Sequence, residues 1–188
     1  MTPRELIDFT TFIGKLKTTY RHCYTAENRP ESVADHSWRI ALMAMLCKDE
    51  FPEVDIDKVI KMCIIHDFGE AVTGDIPAFY KTEEHEDTEE KAIDKLLKRL
   101  PAPVEKELSA LFDEMEKLET PEAKLWKSLD NMEAVIAHNE SDISTWLPLE
   151  YSLNLTYGEE NVAWSKWTKE LKSEINKDTI KKIEENKQ

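Results

Sequence analysis

Apolar positions recur along this chain at intervals of three and four, the spacing that gathers side chains on one face of a helix. Leu6, Phe9, Ile13 and Leu16 make the first stripe. It follows "TPRE", where Thr2 is the predicted N-cap, Pro3 the first helical residue and Glu5 the capping-box partner. A second stripe runs through Ile40, Met43, Ala44 and Cys47 in "RPESVADHSWRIALMAMLCKDE", with Ser32 as N-cap and Asp35 three residues on. "DIDKVIKMCIIHDFGEAVTG" predicts a third helix, starting after Asp55 or Asp57 and closed by Gly74. "TEEHEDTEEKAIDKLLKRL" places acidic residues first and basic ones last, as a helix dipole favours, and Pro101 and Pro103 end it. "VEKELSALFDEMEKLE" and "TPEAKLWKSLDNMEAVIAHN" predict two more helices, the latter with Thr120 capping ahead of Pro121. "DISTWLPLEYSLNLTYG" reads as irregular or loosely helical, and "NVAWSKWTKELKSEINKDTIKKIEENKQ" as a final helix fraying at its lysine-rich end. With four glycines and no Asn-Gly or Asp-Gly hairpin signal, the expected fold is all-α, a single-domain bundle of about six or seven helices spanning residues 1–188.

The third helix breaks its own pattern. Cys63, Ile64 and Ile65 belong in a core, yet His66 and Asp67 follow at once, with Glu70 a turn later and Asp75 just past Gly74. A carboxylate driven into an apolar setting neutralises or finds a compensating charge. Imidazole beside carboxylate suits a borderline divalent metal, but two neighbouring residues leave the coordination sphere incomplete. His36, heading the second apolar helix, and Asp130, close to the Leu125, Leu129, Met132 and Ile136 stripe, are the candidates to complete it. Together they would offer two imidazoles and two carboxylates from three helices, with positions left for water and substrate. Taken singly, each has a plainer role: a hydrogen-bonded structural histidine, a solvated aspartate, a turn residue at Asp75.

Composition narrows the partners. The formal net charge is −14, which repels nucleic acid polymers and anionic membranes, although a small phosphate ester could bind where a cation reverses the field locally. No apolar run approaches the roughly 20 residues that span a bilayer. Three cysteines without a C-x-x-C pair argue against a disulfide framework and suit a reducing compartment, so the expected location is cytoplasmic.

A histidine, a later His-Asp pair and a still later aspartate, here His36, His66 with Asp67, and Asp130, resemble the HD superfamily of metal-dependent phosphohydrolases. "RPESVADHSWRIALMAM" and "IIHDFGEAVTGDIPAFYK" are similar to the branch holding the bacterial 5′-deoxynucleotidases and the eukaryotic HD-domain-containing protein 2 type. The likeness covers a motif core of about residues 16–130, with residues 131–188 as helices packing on it. It implies hydrolysis of deoxyribonucleoside 5′-monophosphates with one divalent ion (manganese, cobalt, nickel, iron or zinc) held by His36, His66, Asp67 and Asp130. Glu70, with Asp67, is then the catalytic candidate, positioning and deprotonating the attacking water. Arg21 matches the family arginine that orients phosphate. His22 stands where the bacterial enzymes carry tryptophan, and Asp75, Ile76, Pro77 and Ala78 correspond to the loop that touches the sugar. The family commonly forms homodimers.

Two alternatives stay open at this level. One is an HD phosphohydrolase acting on a triphosphate, a cyclic nucleotide or a guanosine polyphosphate, the last disfavoured by Ala71 after Glu70. The other is a non-catalytic nucleotide-binding dimer. His85 reads chiefly as part of an exposed helix start, His138 as a helix-end cation, "EEKAIDKLLKR" as a solvated face, and Trp164 and Trp167 as packing or dimer contacts.

Overall fold

The computed structural model describes residues 1–186. In chain order its elements are α1 (Pro3–Ile13), strands β1 (Tyr20–Tyr24) and β2 (Pro30–Ser32), α2 (Val33–Leu46), α3 (Ile56–Ile65), α4 (Glu70–Thr73), α5 (Glu83–Leu97), α6 (Ala102–Lys117), α7 (Pro121–Glu140), α8 (Glu150–Thr156), α9 (Glu159–Val162) and α10 (Lys166–Glu185). The fold is all-α apart from that one small ladder. Of the described helices, seven are ten residues or longer. No described helix is long and apolar enough to cross a membrane.

The 20-residue α7 is the axis, packed against α2, α3, α6, α9 and α10. Its Leu125 and Leu129 are fully buried and join Val33, Ile40 and Ala44 of α2 and Val59, Met62 and Cys63 of α3 in the main core. Met132 and Val135, further along, meet Val162 and Ile175 in a smaller cluster beneath α10. Trp164 and Trp167 turn inward: both rings pack on Phe51, and Trp164 Nε1 donates to Ser128 Oγ at 2.9 Å.

The expected caps at Thr2, Ser32, Asp55 and Thr120 all form, each side-chain oxygen accepting a backbone N–H of the first turn. Three departures from the sequence reading matter for function. The continuous helix expected up to Gly74 stops after Ile65, and tighter turns carry the chain through Phe68 N–H to Ile65 O at 2.9 Å and Glu70 N–H to Asp67 O at 3.0 Å before the short α4. Past the break Gly69 makes room for α5, because a Cβ there would lie 2.6 Å from Glu89 Cγ and 3.1 Å from Ile93 Cγ1; the backbone itself seats against α5. Secondly, β1 and β2 pair antiparallel without a glycine turn, since Asn28 adopts φ 64° and Asn28 N–H bonds Thr25 O. Thirdly, the last helix begins at Lys166, where Ser165 Oγ accepts from Thr168 N–H at 3.0 Å, and the segment before it forms the short α8 and α9. The fraying expected at the lysine-rich end is not seen through Lys177, Lys181 and Lys182, which are helical to Glu185; residues 187–188 lie outside the described residues.

Between α8 and α9, Gly158 has φ +72°, and a Cβ on it would lie 2.7 Å from Asn131 Cβ. Gly158→Ala is therefore expected to lower stability by about 1–3 kcal/mol. Urea unfolding should show the loss as a lower midpoint with an unchanged slope.

Candidate metal centre and active site

The capping box at Ser32 fixes the start of α2, so that His36 falls one turn in, facing α7 and 2% exposed. His36 Nε2 stands 3.1 Å from Asp130 Oδ1 and 4.0 Å from Asp67 Oδ2. His66, at the end of α3, places Nε2 3.0 Å from Asp67 Oδ2 and 3.8 Å from Asp130 Oδ1. Donor atoms of His36, His66 and Asp67 all lie within 4.8 Å of one another, and Asp130 Oδ1 reaches both imidazoles.

The hydrogen bonds of the far ring nitrogens assign both tautomers. His66 Nδ1 lies 2.9 Å from Cys63 O, a carbonyl that only accepts, so the proton sits on Nδ1. His36 Nδ1 likewise faces the carboxylate Oε2 of Glu133. Both Nε2 atoms then present lone pairs to the centre, and buried His66 Nε2 has no hydrogen-bond partner. Two lone-pair nitrogens and two carboxylates converging with an orphaned buried acceptor among them fit a divalent cation.

Electrostatics call for positive charge at the same point, whether on the imidazoles or on a cation. Burial opposes ionisation of Asp130, but Lys127, whose Nζ holds Oδ2 at 2.8 Å, together with His36 and His66, keeps its carboxyl well below the usual range. Asp67 is also lowered: burial works against it, and His66 and His36 outweigh burial. Glu70 goes the other way. It is buried, its Oε2 has no partner, and burial followed by Asp67, Asp75 and Glu89 pushes its carboxyl up to about 10. Burial likewise raises Asp75. Such a surplus of carboxylates is tolerable beside a cation.

All of the expected site residues, Arg21, His22, His36, His66, Asp67, Glu70, Asp75, Ile76, Pro77, Ala78 and Asp130, line one cavity of about 830 Å³. Arg21 comes from β1, and its Nη1 donates to Glu31 Oε2 at 2.6 Å and Glu133 Oε2 at 3.1 Å. Two expectations change. His138 is no helix-end cation: it is half-buried in the cavity wall, and desolvation there, then Arg21 and His22, bring it down to about 4. His85 keeps its expected place at the start of α5, where its Nδ1 accepts from Thr82 N–H at 3.3 Å and closes the cap. The supposedly solvated face of α5 contributes Glu89, Glu90, Ile93 and Asp94 to the cavity lining.

Sequence reasoning overlooked Glu133. It is fully buried, bonds His36 Nδ1 and Arg21, and meets Arg39 Nε at 2.9 Å. Its signal was present: it falls three residues after Asp130, an ionisable residue wedged between Met132 and Val135 of an apolar stripe. Despite burial, His36, Arg21 and Arg39 hold its carboxyl down to about 2.

Glu133→Gln keeps the shape but removes the charge that steadies His36, and is expected to weaken divalent-metal affinity by about 10–100-fold. Equilibrium dialysis with zinc or manganese measures this, and unchanged affinity would refute the role. His138 gives a pH effect. Its folded pKa lies below the unfolded value, so the unfolded chain binds the extra proton; stability is present above about 6.5 and is lost as pH falls toward 4. The contribution is at most about 3 kcal/mol, and His138→Gln should flatten that limb of the urea-midpoint profile.

Comparison with known proteins gives the same assignment. Residues 13–172 match the HD domain family. Human 5′-deoxynucleotidase HDDC2 is 37% identical over 142 residues, covering 73% of this chain and 68% of that protein. A predicted metal-dependent phosphohydrolase from Magnetospirillum magnetotacticum superposes with TM-score 0.80 at 29% identity, over 95% of this chain and 93% of its own. The HD phosphohydrolase DatZ of cyanophage S-2L, solved with dA and one catalytic Zn2+ ion, shares the fold at TM-score 0.60 and 21% identity, over 94% of this chain and 97% of its own. The chain belongs to the HD-domain family.

Proposed function

We propose that this chain is a metal-dependent 5′-deoxynucleotidase, its single HD domain hydrolysing deoxyribonucleoside 5′-monophosphates to deoxyribonucleosides and phosphate. The observation that carries this reading is the meeting of the His36, His66, Asp67 and Asp130 donors in the cavity that Arg21 and Glu70 also line. The likeness to human 5′-deoxynucleotidase HDDC2 supports the substrate class.

A divalent ion bound by those four residues would supply Lewis acidity to a phosphate oxygen and offset charge growing in the transition state. The donor set admits manganese, cobalt, nickel, iron or zinc. Arg21 grips the phosphate; Glu31 and Glu133 hold its guanidinium in place beforehand, which reduces what must be ordered on binding. With a dication beside it Glu70 would be held as the carboxylate, and it would then take a proton from the attacking water at Oε2, the buried oxygen that lacks a partner. Asp75, Ile76, Pro77 and Ala78 meet the deoxyribose. Acidic Glu86, Glu89, Glu90 and Asp94 line the rest of the cavity, which favours a monophosphate over a longer, more negative chain. A cytoplasmic homodimer belongs to this reading, supported by the exposed Trp38, Met45 and Leu46 on α2.

Phosphate release from a panel of nucleotides tests the proposal. Deoxyribonucleoside monophosphates should be cleaved in preference to ribonucleotides and triphosphates, chelation should abolish release, and one of the five divalent ions should restore it. No release from any deoxyribonucleoside monophosphate with any of those ions would overturn it. Glu70→Gln is expected to cut kcat by about 10²–10⁴-fold with metal still bound; full turnover in that variant would remove Glu70 from water activation.

A further inference from the structure

A second cluster stands in the same cavity, next to the residues assigned to phosphate and sugar. His22 follows Arg21 in the chain and Phe79 follows Ala78; their rings meet edge-on at 6.0 Å, and the His138 ring lies 6.4 Å from His22. Behind them is Glu150, at the start of α8 and only 1% exposed. Its two oxygens are treated differently. Oε2 accepts from Leu147 N–H at 2.6 Å, which fixes the carboxylate's orientation. Oε1 is buried without a hydrogen-bond partner, with His22 Nε2 at 3.5 Å and His138 Nε2 at 3.6 Å.

A buried acceptor left open is costly, and such groups usually await a ligand, water or ion. His138 does not neutralise it near neutral pH, being held in its uncharged form by burial. The surroundings are flat and aromatic: Phe79 and the two imidazoles offer ring faces and edges of the kind on which a nucleobase rests. The acceptor therefore stands where a planar, donor-bearing ring would put an N–H.

We infer that Glu150 reads the nucleobase, its Oε1 accepting a hydrogen bond from the exocyclic amino group of adenine or cytosine. Guanine, thymine and uracil carry a carbonyl oxygen at that edge and meet the carboxylate with repulsion. The inference rests on the deoxynucleotidase reading, because it takes the base to lie past Arg21 and the Asp75–Ala78 loop.

The test compares dAMP and dCMP with dGMP, dTMP and dUMP as substrates, and deoxyadenosine and deoxycytidine with thymidine as ligands by calorimetry after chelation of metal. The wild-type chain should favour adenine and cytosine by about ten- to a hundred-fold in kcat/KM and in nucleoside affinity. Glu150→Gln should collapse that ratio, since its amide also donates to a carbonyl. Equal treatment of all bases by the wild type overturns the inference without requiring any variant to fold. A uniform loss across bases in Glu150→Gln, or no nucleoside binding at all, overturns it too. Nucleoside preference without phosphate release from any substrate would leave base reading standing and remove the phosphatase reading instead.

Discussion

Moving a carboxylate out of water costs several kcal/mol unless charge and hydrogen bonds meet it. Glu133 is the place where this chain accepts that cost, and the site takes its form from the compensation. Its fully buried carboxylate is met by His36 and Arg39 from α2 and by Arg21 from β1, so two elements are drawn to one point on α7. His36 gains its tautomer from this contact and Arg21 its position. The residue proposed to hold metal and the one proposed to hold phosphate thus share an anchor, and displacing either disturbs both. The small ladder of β1 and β2 has its purpose here: it delivers Arg21, and through Glu31 a second carboxylate to grip it.

Around the centre the charge balance is uneven. Lys127 answers Asp130, and Lys81 answers Glu89 at 2.7 Å, but Glu70 and Asp75 are raised by burial and by carboxylate neighbours. A protein with a net charge of −14 has concentrated acidity where an anionic substrate is proposed to enter. That arrangement makes sense only when a cation is part of the working site, and the two outward-facing Nε2 lone pairs supply the other half of its ligand set.

Much of this was legible in the sequence where the physics is local. Caps at Thr2, Ser32, Asp55 and Thr120 follow from short side chains reaching the first free N–H groups, and each appears as read. The four proposed donors were legible partly because ionisable residues interrupt apolar stripes and partly because their order resembles the HD motif. What escaped depends on contacts distant in sequence. The chain after α3 seats Gly69 directly against α5, a contact invisible in "HDFGEAV". Asn28 turns the strand pair without the glycine that would have announced it. His138 reads as a dipole partner until the cavity wall half-buries it. Glu150 lay in a segment with no clear period, and only the folded chain leaves one of its oxygens open.

His36 and His66 do the same work with different supports. The support of His36 is a side chain, whereas that of His66 is the main-chain carbonyl of Cys63. A single codon change can erase the first, but no change of side chain can delete the second. Mutational drift therefore threatens the two imidazoles unequally: at position 63 any residue that fits the core keeps the carbonyl, while position 133 is tied to its acid.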